Sequence, residues 1–134
     1  MSQPLVDENG FLRGLPHHDG FVLGVLIDEA DRDVRIAIQS ADKETRAVLV
    51  VRRPRMFVMN NFREGNTILN IRLVDAARSD AAAADIHSIL AGRADFPGAS
   101  IGESIFILES SFGADIISIC RGLEVEIDSK FVVK

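Results

Sequence analysis

Between Phe21 and Val74 the chain is a succession of short aliphatic and β-branched runs, each ended by a charged or small polar cluster. That spacing leaves room for little except antiparallel strands, because a parallel pair needs a crossover of about a dozen residues or more. The clearest runs are 21–27, 34–38 and 68–74. In the second, Val34, Ile36 and Ile38 face one way and Arg35 and Gln39 the other, the period-two pattern of a half-buried strand. In the third, Leu69, Ile71 and Leu73 are expected on one face and Asn70 and Arg72 on the other. The first run is apolar on both faces, with Phe21, Leu23, Val25 and Ile27 alternating with Val22 and Leu26. It reads as a strand covered on two sides.

Turn chemistry joins these runs. Asp31-Arg-Asp33 and Ala41-Asp-Lys-Glu44 separate strands near 21–28, 33–39 and 45–52, and Pro54, which cannot donate to a ladder, ends the third. Met56–Met59 reads as a short strand, 64–66 as a turn and 67–74 as a strand. The period then changes. Ser79 suits an N-cap, Asp80 the positive end of a helix dipole, and Gly92 a left-handed stop. Between them Ala82, Ala83, Ile86, Ile89 and Leu90 form an apolar stripe. A loop through Phe96-Pro-Gly98 leads to strands near 104–109, 115–121 and 123–128, with Gly113 in a hairpin turn. The expected fold is α+β: a mainly antiparallel β meander, curved or folded into two packed sheets, with one helix near 79–91. Residues 1–19, broken by Gly10, Gly14 and Pro16, read as a leader packing onto a single β-rich domain over 20–134.

A chain of 134 residues buries a core without a metal or disulfide staple. The lone Cys120 excludes an intramolecular disulfide and suits a small buried apolar role. The start of the chain has no basic and apolar signal pattern, and no run reaches membrane-span length, so a cytoplasmic protein is expected. A net charge of −5 works against binding a phosphate backbone, and nothing matches a phosphate-loop or dinucleotide pattern. The basic group Arg52-Arg53-Pro54-Arg55, with Arg46 and Arg63 nearby, could hold a phosphate, but in an acidic chain it is better explained by pairing with carboxylates.

Candidate sites are few. His17-His18-Asp19 is a histidine cluster that could line a small-molecule pocket, although three adjacent residues rarely converge on one metal. His87 falls on the helix, and Ser110-Ser111-Phe-Gly113 lacks the frame of a nucleophile elbow. No catalytic residue, cofactor site or metal site is assigned. The acidic groups offer a docking surface instead. Asp28, Glu29, Asp31 and Asp33 crowd the first hairpin, and Glu124, Glu126 and Asp128 line one face of the last strand. Such faces suit a basic protein partner, with no nucleic acid and no membrane involved.

His18-Asp19-Gly20 opening an alternating hairpin, together with Ser111-Phe-Gly-Ala-Asp-Ile116 in a late strand pair, resembles small bacterial β-rich proteins of immunity type or of uncharacterised role. The resemblance spans about two-thirds of the chain through pattern. It implies a non-enzymatic protein-binding role, such as a toxin inhibitor acting by occlusion, and transfers no functional residue. A pocket-bearing small-molecule binder or minor enzyme is the alternative, and a homo-oligomer pairing through its edge strands is a third reading. The periodicity predicts a far-UV circular dichroism spectrum that is mainly β with a minor helical component; a helix-dominated spectrum would refute it.

Overall fold

A computed structural model describes residues 2–15, 17–63, 65–77, 81–90 and 98–128. After a two-stranded leader ladder, β1 (Leu5–Val6) and β2 (Leu12–Arg13), the strands are β3 (Phe21–Asp28), β4 (Asp33–Gln39), β5 (Arg46–Arg52), β6 (Met56–Asn60) and β7 (Thr67–Asp75). Helix α1 (Ala81–Leu90) follows, and then β8 (Ser104–Phe112), β9 (Asp115–Cys120) and β10 (Gly122–Asp128). Among the described residues every strand pair is antiparallel and the structure is mainly β with one short helix, so the α+β label gives that helix too much weight. Ser79, Asp80 and Gly92, expected at the helix ends, and Phe96 and Pro97 of the following loop lie outside the described residues.

The strands follow the order β10-β5-β4-β3-β7-β8-β9-β6. Two three-stranded meanders, β3-β4-β5 and β7-β8-β9, are therefore joined on both sides. On one side β5 bends into β6 through 53–55 while β9 bends into β10 at Arg121, and the two bent segments stay paired throughout. Arg55 N–H donates to Ile119 O and Arg121 N–H donates to Arg52 O, both at 2.8 Å, carrying the ladder across the bend. On the other side β3 meets β7 at a corner, where Phe21 pairs with Thr67. The sheet thus returns on itself as a small, strongly sheared barrel of six chain segments.

Alternation along the strands fills the inside of this barrel. Ile36 and Ile38 of β4, Leu49 and Val51 of β5, Ile68 and Ile71 of β7, Phe106 and Leu108 of β8, and Ile116 and Cys120 of β9 form one buried cluster. Cys120 is buried as expected, and burial pushes its thiol up to about 11, out of reach of thiolate chemistry near neutrality. A second cluster lies on the opposite face, where Ala83, Ile86 and Leu90 of α1 pack on Val74, Ile105, Ile107 and Ile117. Ala83, Ile86 and Leu90 of the expected helix stripe form the face that docks, so β8 and β9 are covered on both sides.

Two strands depart from the sequence reading, both at bulges. In β3 the register shifts between Val22 and Gly24, so Leu23 is an extra residue and the expected faces do not persist. Leu23, Leu26 and Ile27 are exposed, so β3 is not covered on two sides. In β7, shifts between Thr67 and Asn70 exchange Leu69 for Ile68 in the core and leave Leu69 exposed. Arg72, expected on a polar face, is instead buried. It donates to Asp85 of α1 (2.7 Å), and its guanidinium lies 4.2 Å from the centre of the Phe11 ring. One side chain therefore ties the leader and the helix to β7. The leader itself crosses the molecule: Ser2 pairs with Val125, Phe11 pairs with Arg72, and Leu12 is buried in the barrel core.

Gly20 sits where the corner is tightest, since a Cβ there would lie 2.3 Å from Gln39 O. Gly20→Ala should lower the melting temperature sharply. Leu12→Ala should cost about 2–5 kcal/mol, the usual range for a buried leucine. Chemical denaturation checks both, and a Leu12→Ala variant of unchanged stability would show that the leader is not part of the core.

Candidate functional site

The His17-His18-Asp19 segment forms a turn that starts β3. Gly20 N–H donates to His17 O (2.9 Å), Asp19 takes a positive φ of 57°, and Asp19 N–H donates to Ile68 O (3.1 Å). His17 is buried, and that burial holds its imidazole below the ordinary value, so it is neutral at pH 7. Its Nδ1 lies 3.2 Å from Leu15 O, and a carbonyl can only accept, so Nδ1 carries the proton. His18 Nδ1 makes the same kind of contact to Leu69 O at 3.1 Å, and its Nε2 lies 3.6 Å from Asp19. The two histidines border an open cleft of about 430 Å³ together with Asp7, Phe11 and Arg13. Each ring already serves the backbone. Among the described residues no three His, Cys, Asp or Glu side chains are grouped to hold a metal, and no helix is long and apolar enough to cross a membrane.

The acidic residues divide into two classes. Asp33 has a fully buried side chain and binds Arg52 at 2.9 Å, with Arg35 at 3.6 Å. Glu124 receives both Nε and Nη2 of the same Arg52, at 3.1 and 3.0 Å. That fork holds the Glu124 carboxyl below the ordinary carboxylate range and raises the Arg52 guanidinium. These two carboxylates are therefore internal partners of the basic cluster. Arg55 is likewise spent, on a two-point pair with Glu103 at 2.9 Å for each bond. Glu126 is exposed, while Asp128 is placed by its pairing with Arg46 in the β10–β5 register.

Asp28, Glu29 and Asp31 form the second class. They stand at the tip of the β3–β4 hairpin, where Asp28 Oδ1 accepts from Ala30 N–H (3.1 Å) and Asp31 N–H (3.2 Å) and shapes the turn. This tip ends the exposed stretch of β3. Past Phe21 and Val22, no described residue pairs with the side of β3 that faces away from β4. Leu26 shares the outer face with Arg35 and Ile27 shares the inner face with Val34, yet they are 63 % and 69 % exposed. Past Val22 no described residue flanks that side of β3, which accounts for both.

At the other end of the free edge lies an apolar groove of about 520 Å³ that sequence reasoning missed. Phe21, Val22, Leu23 and Phe62 line it, with Lys43 and Arg63 at its margin. Lys43 Nζ sits 6.0 Å from the Phe21 ring centre, and the Arg63 guanidinium sits 5.6 Å from that of Phe112. Asn66 holds the groove in place. Its buried Oδ1 accepts from Arg63 N–H (2.7 Å) and Ala114 N–H (2.9 Å), and its backbone carbonyl accepts from Val22 N–H (2.9 Å). In the sequence these residues are spread from 21 to 114, and only the Gly65-Asn66 turn signal hints at the site.

No protein-family model matches the chain, and no curated protein is similar to it.

The Arg55 pair supplies a pH signature. Its hydrogen bonds hold Glu103 down to about 2, against an ordinary value of 4.5. A depressed carboxylate stabilises the folded state above its unfolded value, and that contribution is lost as the pH falls from about 4.5 toward 2. The melting temperature of Glu103→Gln should therefore lie below that of the wild type at pH 7, and the gap should close across that window. A gap independent of pH would show that Glu103 is not held ionised by Arg55.

Proposed function

We propose that this is a non-enzymatic protein-binding module, and that its binding surface is the free edge of β3 together with the groove and the acidic tip at its two ends. The observation that carries the reading is the side of Leu23–Asp28 facing away from β4, which pairs with no described residue, with Leu23, Leu26 and Ile27 exposed. Folded proteins protect such edges with charge, bulges or a covering element, because backbone groups there template pairing with another chain. Here the bulge at Leu23 lies at the start of the edge and the charges lie at its end, which leaves the middle open. Addition of a strand at such an edge draws affinity from main-chain hydrogen bonds and specificity from side-chain pockets.

The acidic tip of Asp28, Glu29 and Asp31 favours a basic partner segment and speeds encounter with it. An inhibitor of immunity type, covering a toxin's active site, is one form such a module takes, and occlusion of that kind needs no catalytic group. The histidine turn supports a small-molecule role less well, because both rings are committed to backbone carbonyls.

The test is capture from the native host with the wild-type chain and with Leu26→Lys as baits. At an exposed site the substitution should shift stability by less than about 0.5 kcal/mol. The wild type should retain a partner, an untagged native copy included, that Leu26→Lys loses. Retention should weaken as salt rises, since exposed charges are screened within about 8 Å at physiological ionic strength. Identical captured sets for the two baits would remove β3 as the binding surface.

A further inference from the structure

The basic counterpart that the acidic tip calls for is present on this same chain. We propose that the occupant of the β3 edge is a second copy of the protein, its own β3 laid antiparallel across a two-fold axis near Gly24 and Val25. The inference rests on the reading of that edge as a protein-binding surface and names its partner.

Three observations support self-pairing. The first is charge. The free edge carries Asp28 and Glu29 at one end, while Lys43 and Arg63 flank the groove at the other. A two-fold axis reverses the strand, so the acidic tip of each copy meets the basic groove of the other at both ends of the contact. A two-fold interface must be self-complementary in this way, with residue i meeting j and j meeting i. The second observation is shape. A Cβ built on Gly24 meets nothing within 4 Å, so no described group covers that face of the strand at its middle, and the missing side chain eases the approach of a second backbone. The third is register. Thr67 and Asn66 already occupy the edge at Phe21 and Val22. An incoming β3 must therefore leave the edge near its own Asp28, which sets its acidic turn over Lys43 and Arg63. The same register brings the exposed Leu26 and Ile27 of one copy alongside Leu23 and the groove of the other.

A contact of one short strand pair is a small interface, at or below about 1,200 Å² of total buried area, so the equilibrium should be read over a concentration series reaching several hundred micromolar. Sedimentation velocity and light scattering on the purified wild type should show a species of twice the 14.6 kDa chain mass as concentration rises. Two charge-reversed forms then test the corners, Glu29→Lys with Asp31→Lys, and Lys43→Glu with Arg63→Glu, each checked for folding by circular dichroism. Each alone places like charges at both corners and should raise the dimer dissociation constant about tenfold or more. An equimolar mixture restores opposite charges at both corners and should recover dimer of mixed composition. Leu26→Lys serves as a variant of the edge itself and should be monomeric.

A wild type that stays monomeric throughout, a dimer that persists in Leu26→Lys, or charge-reversed forms that fail to recover on mixing would each overturn the proposal. A monomeric wild type whose Leu26→Lys form still loses a captured host protein overturns self-pairing and leaves the protein-binding reading intact. A monomeric wild type with no difference in capture overturns both.

Discussion

The structure depends on one small corner where the sheet closes on itself. β3 and β7 meet through Phe21 and Thr67, and the junction is held by Val22 N–H to Asn66 O and Ile68 N–H to Gly20 O. Gly20 is needed because Gln39 O stands where a side chain would begin, and Gly113 because the Asn66 amide fills the corresponding space on the β8–β9 hairpin. Asn66 is nearly fully buried, and its amide joins Arg63 to that hairpin. A buried amide of this kind is costly unless satisfied, and here the satisfied one fixes where the two meanders join.

Because the seam is a corner, β3 and β7 do not flank each other beyond it. The leader fills the edge of β7, through Gly10, Phe11 and Asp19. The edge of β3 receives nothing comparable among the described residues. The asymmetry between these two edges separates the structural role of the leader strands from the recognition role proposed for residues 23–28.

Charge is allocated in the same way. Arg52, Arg55 and Arg72 act as straps between elements: Asp33 with Glu124, the bend before β6 with Glu103, and β7 with α1. Forked arginine–carboxylate geometry makes such contacts directional as well as attractive. Once these pairs are set aside, the hairpin tip of Asp28, Glu29 and Asp31 remains as an exposed acidic feature, with Lys43 and Arg63 at the far end of the same edge. A sequence count of acids and bases does not separate these groups, because a carboxylate facing a guanidinium and one facing water look alike in one dimension.

The sequence by itself determined which segments are strands, where the helix lies, and which turns join them, because backbone periodicity and turn chemistry are local. The strands near 33–39, 45–52, 56–59 and 115–128 are found where their patterns place them, and the helix buries Ala83, Ile86 and Leu90 as its stripe requires. Tertiary structure decided the rest. The bulges at Leu23 and near Leu69 displaced those residues from the expected faces while Ile71 and Leu73 kept theirs, since an extra residue opposite a partner strand leaves no mark in the alternation of one strand. Pairing of β9 and β10 with the bent β5–β6 segment, separated by more than fifty residues, turned an expected meander into a closed ring. That closure set Glu124 against Arg52, which also holds the buried Asp33, and left β3 with an edge that no described residue fills. Which strand lacks a neighbour depends on every other strand's position, so only the folded chain could settle it.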